Sequence, residues 1–278
     1  MVNGGFTCPN RDGTVGSGGC SYCRNDSFAP DYCRQSGNIT EQLEAGKRFF
    51  GQKYKNMEYI AYFQSYSGTY APVDILRQKY EEAMSVEDVK GLIIGTRPDC
   101  LQDEVLDLLE EFNDCTELTI EIGVESCHDH VLRRINRGHT FAQAENGIRR
   151  TAAKGIRVGV HMILGLPEES REEMFQGAEM LSCLPIDFIK LHQLQILKGT
   201  RMAEDYKAHP EDFVVFPKAE DYVALVREYH KHLRSDIKIE RYVSSVPSDL
   251  VIAPRWGLKP YEIKALIEQG FPYSCHLR

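Results

Sequence analysis

Three cysteines, Cys8, Cys20 and Cys23, stand in the segment CPNRDGTVGSGGCSYC with the spacing C-x11-C-x2-C. Closely spaced thiolates hold metal, and two kinds of centre suit this set. A [4Fe–4S] cubane held by three thiolates leaves one iron open to a further ligand. A chain that wraps such a cube needs positive-φ positions and backbone N–H groups near the sulfurs. Pro9, Gly13, Gly16, Gly18 and Gly19, five of the eleven residues between Cys8 and Cys20, meet that need. The second candidate is structural zinc, with Cys33, ten residues after Cys23, or a histidine as fourth ligand. Zinc sites favour paired short C-x-x-C knuckles, and only Cys20 and Cys23 make one. The cysteines by themselves leave both centres open.

The rest of the chain must position this loop. Short β-rich runs, Tyr59–Phe63, Val89–Ile94, Leu118–Gly123, Val158–Leu164, Phe188–Leu191 and Ile237–Tyr242, alternate with amphipathic stretches. Several runs are nearly all apolar, as in a parallel sheet covered on both faces. The spacing predicts helices over Ile39–Tyr54, Pro72–Met84, Asp103–Phe112, Phe141–Lys154, Arg171–Leu181 and Lys218–Leu233. Asn38 or Thr40, Asp99 or Asp103, Thr140 and Ser170 are the candidate N-caps. Six βα-like units predict an α/β fold, either an open doubly wound sheet or a complete or partial (β/α) barrel. Residues 198–217 are the least patterned, and no internal repeat or long linker interrupts the alternation.

The six remaining cysteines, Cys33, Cys100, Cys115, Cys127, Cys183 and Cys275, are scattered singly, a poor disulfide framework that fits a reducing compartment. No apolar run approaches the roughly 20 residues that span a bilayer, so no membrane role and a cytoplasmic location are expected. The net charge of −8 gives no global footprint for a polyanion, which leaves two local clusters. These are Arg133, Arg134 and Arg137, and then Arg149, Arg150, Lys154 and Arg157. The cysteine loop lies almost at the chain start, where a supporting strand would precede it, so residues missing upstream are expected.

Further motifs follow in order. Tyr22 precedes the last loop cysteine, and Phe63-Gln64-Ser65-Tyr66-Ser67-Gly68-Thr69 ends the first run. Thr96-Arg97-Pro98-Asp99, then Glu121-Ile122-Gly123-Val124-Glu125-Ser126, then Arg137-Gly138-His139 and Met162-Ile163-Leu164-Gly165-Leu166-Pro167-Glu168 come after it. Each motif lies at or just beyond the C-terminal end of a predicted strand, where a (β/α) barrel assembles its active site. Taken together they resemble the radical S-adenosylmethionine (SAM) superfamily, in its elongator-type and coproporphyrinogen-oxidase-like branch. NGGFTCPNRDGT, YFQSYSGTYAP, INRGHT, KLHQLQILKGT and APRW are similar to strings of the YtqA/YhcC group.

The resemblance implies a partial (β/α)6 TIM-like barrel of the radical SAM type, its first strand truncated or missing. Residues 1–200 would be the core, with the cluster loop at 6–28, and 201–278 would complete the barrel and cover the active site. Cys8, Cys20 and Cys23 would hold a [4Fe–4S] cluster that cleaves SAM reductively. The same resemblance gives Tyr22 to the adenine, Ser67, Gly68 and Thr69 to the methionyl amine, and Arg137 to the methionyl carboxylate. Glu125, where the family commonly has Gln, would take the ribose hydroxyls or the amine. His161 would lie beside Glu125, and Gly165 in a turn against the adenine. His192, Gln193, Gln195, Arg241, Asp249 and Trp256 are the substrate-side candidates, with Tyr70, Trp256 or Arg241 able to stack a splayed base. An electron donor such as flavodoxin or ferredoxin is implied. For the YtqA branch the implied substrate is the wobble-uridine side chain of tRNA. A small metabolite, or a non-catalytic zinc or iron–sulfur protein, is the alternative.

Overall fold

The computed structural model describes residues 1–27, 30, 32–33, 37–52 and 57–269. Phe28 of the cysteine loop, Tyr54 at the end of the first predicted helix and Cys275 lie outside them. All six predicted strands are present: β1 Tyr59–Phe63, β2 Val89–Thr96, β3 Glu117–Glu125, β4 Arg157–Leu164, β5 Phe188–Gln193 and β7 Lys238–Arg241. They form one sheet in the order β1-β2-β3-β4-β5-β7. The β1·β2, β2·β3 and β5·β7 pairs are parallel, and helices separate successive strands, which gives the α/β alternation that the sequence predicts. β6, Ile196–Leu197, and β8, Val251–Ala253, pair antiparallel in a second small sheet.

The chain divides into two compact units. One comprises Met1–Gly19, Asn25–Gly123 and Ala142–Gly159. Its core grows from the inward rows of β1 and β2 and from helix Val73–Met84, where Leu76, Tyr80 and Ala83 recur at helical spacing and are fully buried. Tyr80 meets Phe63 and Phe112 edge-on at centroid distances of 5.3 and 5.6 Å. Val2 makes a single parallel bridge with Phe63. Helix Asp103–Cys115 is capped by neither predicted aspartate, since Gln102 holds the N-cap position. Asp99 is taken by Arg97, and Asp103 sits inside the first turn, where its charge suits the helix dipole and Arg150 pairs with it. Arg149 pairs with Glu145, and Lys154 with Asp107 and Glu110, so most of the second basic cluster is neutralised by its own neighbours.

The other unit comprises Cys20–Arg24, Val124–Phe141 and Val160–Arg278. Helix Arg171–Ser182 begins in a full capping box, with Ser170 and Glu173 each accepting the other's backbone N–H. The stretch read as least patterned contains helix Arg201–Ala208, begun by the Thr200 side chain accepting from Ala203 N–H. Its sequence is polar and only Met202 is buried, so apolar periodicity carried no signal there. Helices Asp129–Arg134 and Pro260–Glu268 and the two- and three-residue strands of the small sheet were likewise too short for a period to emerge. In the core, Ser126 Oγ donates to the carboxyl of Glu169, which is 6% exposed, and accepts from His128 N–H. Burial pushes the Glu169 carboxyl up to about 8.

This raised value has a definite sign. Between the ordinary value of 4.5 and about 8, Glu169 stays protonated in the folded chain and ionises in the unfolded one. The unfolded state then binds fewer protons, so stability falls as pH rises through that window. Glu169→Gln removes the dependence. Urea denaturation at pH 5 and pH 8 should show the variant gaining on the parent protein with rising pH, by an amount on the order of a few kcal/mol. A constant difference would place the carboxyl in water.

Candidate active site

The first unit holds the long arm of the cysteine loop. Cys8 carbonyl accepts from Arg11 N–H at 2.8 Å and Asp12 N–H at 3.2 Å, and Pro9 carbonyl accepts from Val15 N–H at 2.9 Å. Gly13, Gly18 and Gly19 adopt φ of 96°, 77° and 77°, conformations that side chains resist, so the arm turns back on itself as the glycines predict. Thr14 Oγ1 bonds the Tyr70 hydroxyl at 2.8 Å. Tyr70, a candidate base-stacking residue, thus anchors this arm.

Beneath it lies a web of buried hydroxyls. Thr96 Oγ1, at the end of β2, bonds Ser67 Oγ at 3.2 Å and Thr69 Oγ1 at 2.5 Å, and Thr69 also donates to Cys100 carbonyl. Ser67 Oγ accepts from Arg97 N–H, and Arg97 forks onto Asp99 at 2.8 and 2.9 Å. Ser67 and Thr69 are 0% and 1% exposed, so the hydroxyls assigned to a ligand are turned into the scaffold. Gly68 accepts from the buried Tyr80 hydroxyl, and a Cβ there would stand 2.9 Å from Gly95 carbonyl. The Thr-Arg-Pro-Asp turn therefore shapes the Ser67–Thr69 loop.

The second unit holds Cys20, Tyr22, Cys23, Glu125, Arg137, His161 and Gly165. Cys23 N–H donates to Cys20 carbonyl at 3.0 Å and closes the short C-x-x-C turn, while Ser21 is fixed by Ile135 carbonyl and Met202 N–H. Helix Asp129–Arg134 ends on Asn136 at φ 53°, with Asn136 N–H to Arg133 carbonyl and Arg137 N–H to Leu132 carbonyl. Those two bonds are the Schellman pattern, and Asn is one of the few side chains that tolerates its left-handed position. The reversal directs Arg137 to Cys20 Sγ at 3.5 Å and to Glu125 Oε1 at 3.3 Å. Burial opposes the charge on Arg137, but Tyr22, Cys20 and Glu125 outweigh it and hold its pKa well above the usual value. Burial, with Cys20 and Glu125 adding to it, pushes the Tyr22 phenol far up. Tyr22 also packs on the apolar cluster of Val131, Leu132, Ile135, Ile163 and Leu166.

Left-handed backbone at residues other than glycine occurs in four of the motif loops, at Tyr66 (φ 59°), Glu125 (72°), Asn136 (53°) and Glu168 (66°), and also at Asp88 and Phe216. Such conformations cost about 1–3 kcal/mol each and gather where function constrains the chain. Gly165, at φ 89°, lies under Phe216, which a Cβ would meet at 2.5 Å. His161 Nδ1 bonds His192 Nε2 at 3.0 Å, and His192 Nδ1 bonds Ser244 Oγ at 2.7 Å. Gln193 holds Ser244 N–H at 2.8 Å. Gln193, Gln195, Asp249 and Trp256 share one cavity, which Arg241 does not line. Sequence reading missed Ser244, whose only signal is a Ser- and Pro-rich stretch after β7.

Cys8, Cys20, Cys23 and Cys33 are free cysteines. Among the described residues no three His, Cys, Asp or Glu side chains group around a single ion. Cysteine thiolates are the donor chemistry a cubane takes, each thiolate holding its own iron. The Arg137 guanidinium donates to Cys20 Sγ, and the glycine turns suit the wrap. Cys33 instead donates to Met1 carbonyl, and burial pushes its thiol up. The first basic cluster is partly spent: Arg134 pairs with Glu168 and Asp205, and Arg137 is buried.

The chain matches the model of the Radical SAM superfamily over residues 7–181 and that of the Radical_SAM C-terminal domain over 186–271. YtqA of Bacillus subtilis is 37% identical over 268 residues, covering 96% of this chain and 82% of YtqA. YhcC of Escherichia coli is 40% identical over 256 residues, covering 92% of this chain and 81% of YhcC. The Elp3 of Methanocaldococcus infernus superposes with a TM-score of 0.70 at 14% identity. That likeness covers 84% of this chain and 58% of Elp3, and it shows a shared fold.

The hydroxyl web makes its own prediction. Thr96→Val leaves the Ser67 and Thr69 hydroxyls without their shared partner and should cost about 1–3 kcal/mol in urea denaturation. Thr96→Ser should restore most of it. Equal losses in the two variants would assign the effect to packing instead.

Proposed function

The chain belongs to the radical SAM superfamily, and on that premise we propose which residues do its chemistry and on what substrate. Enzymes of this family use a [4Fe–4S] cluster and SAM. When bound, the reduced cluster supplies the electron that splits SAM into methionine and a 5′-deoxyadenosyl radical, which takes a hydrogen atom from substrate. Cys8, Cys20 and Cys23 are the ligands in this reading. The observation that carries it is Arg137, which bridges Cys20 at 3.5 Å and Glu125 at 3.3 Å. One buried cation thereby joins a cluster ligand to a residue of the SAM motif.

Arg137 is the partner of the methionyl carboxylate, because a planar guanidinium matches a carboxylate bidentately. Glu125 holds Arg137 in place and accepts from the ribose or the amine. The Ser67-Gly68-Thr69 loop meets the amine with its backbone, its hydroxyls being committed to Thr96 and Cys100. Tyr22 and the Gly165 turn flank the adenine, and His161 stands beside Glu125. Residues up to 200 form the core in this proposal, and 201–278 complete and cover the site. A flavodoxin or ferredoxin supplies the electron. The proposed substrate is the wobble-uridine side chain of tRNA, supported by the resemblance of the motif strings to the YtqA branch.

Anoxic reconstitution should load about four irons per chain, as a cubane requires, and Ala at Cys8, Cys20 or Cys23 should abolish loading. Cys33→Ala should retain it, since that thiol serves Met1. Iron loss in Cys33→Ala equal to the others refutes the three-ligand set. Arg137→Ala should keep its iron and bind SAM more weakly by about 1.5–3 kcal/mol, measured by calorimetry. Unchanged affinity removes Arg137 from the SAM site. For the substrate, tRNA from cells with and without the gene is compared at the wobble uridine, and the reaction is repeated with purified tRNA and reconstituted enzyme. Identical modification profiles and no product in vitro rule out the tRNA reading.

A further inference from the structure

We propose that a cavity of about 670 Å³ in the second unit is a binding site for a nucleoside phosphate. Its walls are the residues flanking β6, the 243–249 loop with Val251 of β8, the 254–259 segment and the start of helix Pro260–Glu268. Three cations line it, Lys198, Arg255 and Lys259, against a single carboxylate, Asp249. On a chain of net charge −8 that local excess is a selective feature, because a concave surface focuses the field of its charges. None of the three cations is in an ion pair among the described residues, whereas Arg134, Arg149, Arg150 and Lys154 all are. Arg255 forks onto Val251 carbonyl at 3.1 and 2.7 Å, which fixes its guanidinium at the wall.

The remaining lining suits a nucleoside. Trp256 is held rigid by its Nε1–H bond to Phe216 carbonyl at 2.7 Å and by Tyr222 at a centroid distance of 5.4 Å. A fixed indole offers a base an apolar face at low entropic cost, and Gln195, Ser245 and Ser248 add polar groups for a sugar or base edge. The volume lies within the range of about 300–1,000 Å³ usual for small-ligand sites. Ser244 forms part of the wall and ends the hydrogen-bonded run His161–His192–Ser244, which ties the cavity to His161 at β4 of the same unit. The site names the chemical class of substrate for the proposed radical SAM centre and rests on that reading for its role, but not for its binding chemistry. A free nucleotide and a nucleotide within a chain share that chemistry.

The test is calorimetric titration of the reconstituted protein with uridine, uridine 5′-monophosphate and a short oligouridylate, each at two salt concentrations. Trp256, the single tryptophan of the chain, gives a second readout through its emission. The phosphate-bearing ligands should bind at least tenfold tighter than uridine, less tightly at high salt. The double substitution Lys198→Met and Lys259→Met, at exposed positions that folding tolerates, should erase at least tenfold of that affinity. Preference for the oligouridylate identifies a chain as the source, and preference for the monophosphate a free nucleotide. Uridine binding as well as the phosphates, affinity unmoved by the double substitution, or no binding of any of the three overturns the proposal. SAM cleavage by the parent protein is followed separately. Cleavage without nucleotide binding sinks the cavity alone, and binding without cleavage sinks the radical SAM assignment alone.

Discussion

A buried guanidinium needs compensation within reach, or the fold pays several kcal/mol for it. Arg137 is 7% exposed, and Glu125 and Cys20 supply that compensation. Each part of the arrangement has its own backbone device. The Schellman turn at Asn136 aims the arginine, the left-handed Glu125 turns its carboxylate at the end of β3, and the C-x-x-C turn presents Cys20. Removing Glu125 deprives the buried guanidinium of its carboxylate, and removing Arg137 deprives that carboxylate of its cation.

The neighbouring loops are held by hydrogen bonds of the same economy. Alternation along β3 puts Leu118, Ile120, Ile122 and Val124 on one face and Thr119, Glu121 and Glu125 on the other. Tyr62 donates to Glu121 at 2.6 Å, so the buried Glu121 carboxyl has a partner inside the first unit. Thr96 does for the Ser67–Thr69 loop what Arg97 and Asp99 do for the turn after β2. The Ser67 and Thr69 hydroxyls thus support the backbone of the motif loop that carries them.

The six strands were legible because each is a short apolar or alternating run of β-favouring residues set between helical stretches, and Asn38 and Ser170 were legible as caps because each side chain accepts a backbone N–H of the following first turn. Asp99 was misread as a cap for the converse reason: an arginine two residues away, which sequence spacing does not weigh, claims its carboxylate. The basic clusters looked available for a polyanion because several of their acidic partners are distant in sequence, as Asp103 is from Arg150 and Asp107 from Lys154. The cysteine spacing carried the metal chemistry, whereas the link from His161 through His192 to Ser244 joins residues on three separate segments and leaves no local pattern. Lys198, Arg255 and Lys259 were invisible in the same way, because only the fold brings them to one cavity.

In the proposed reading Cys20 and Arg137 serve one centre at which SAM approaches the cluster. Electron paramagnetic resonance of the reduced, reconstituted protein with and without SAM tests it most directly. The account predicts a cluster signal that changes shape when SAM is added to the parent protein and changes far less at the same SAM concentration in Arg137→Ala. A signal that SAM leaves untouched in the parent protein, or that SAM shifts equally in both proteins, would contradict it.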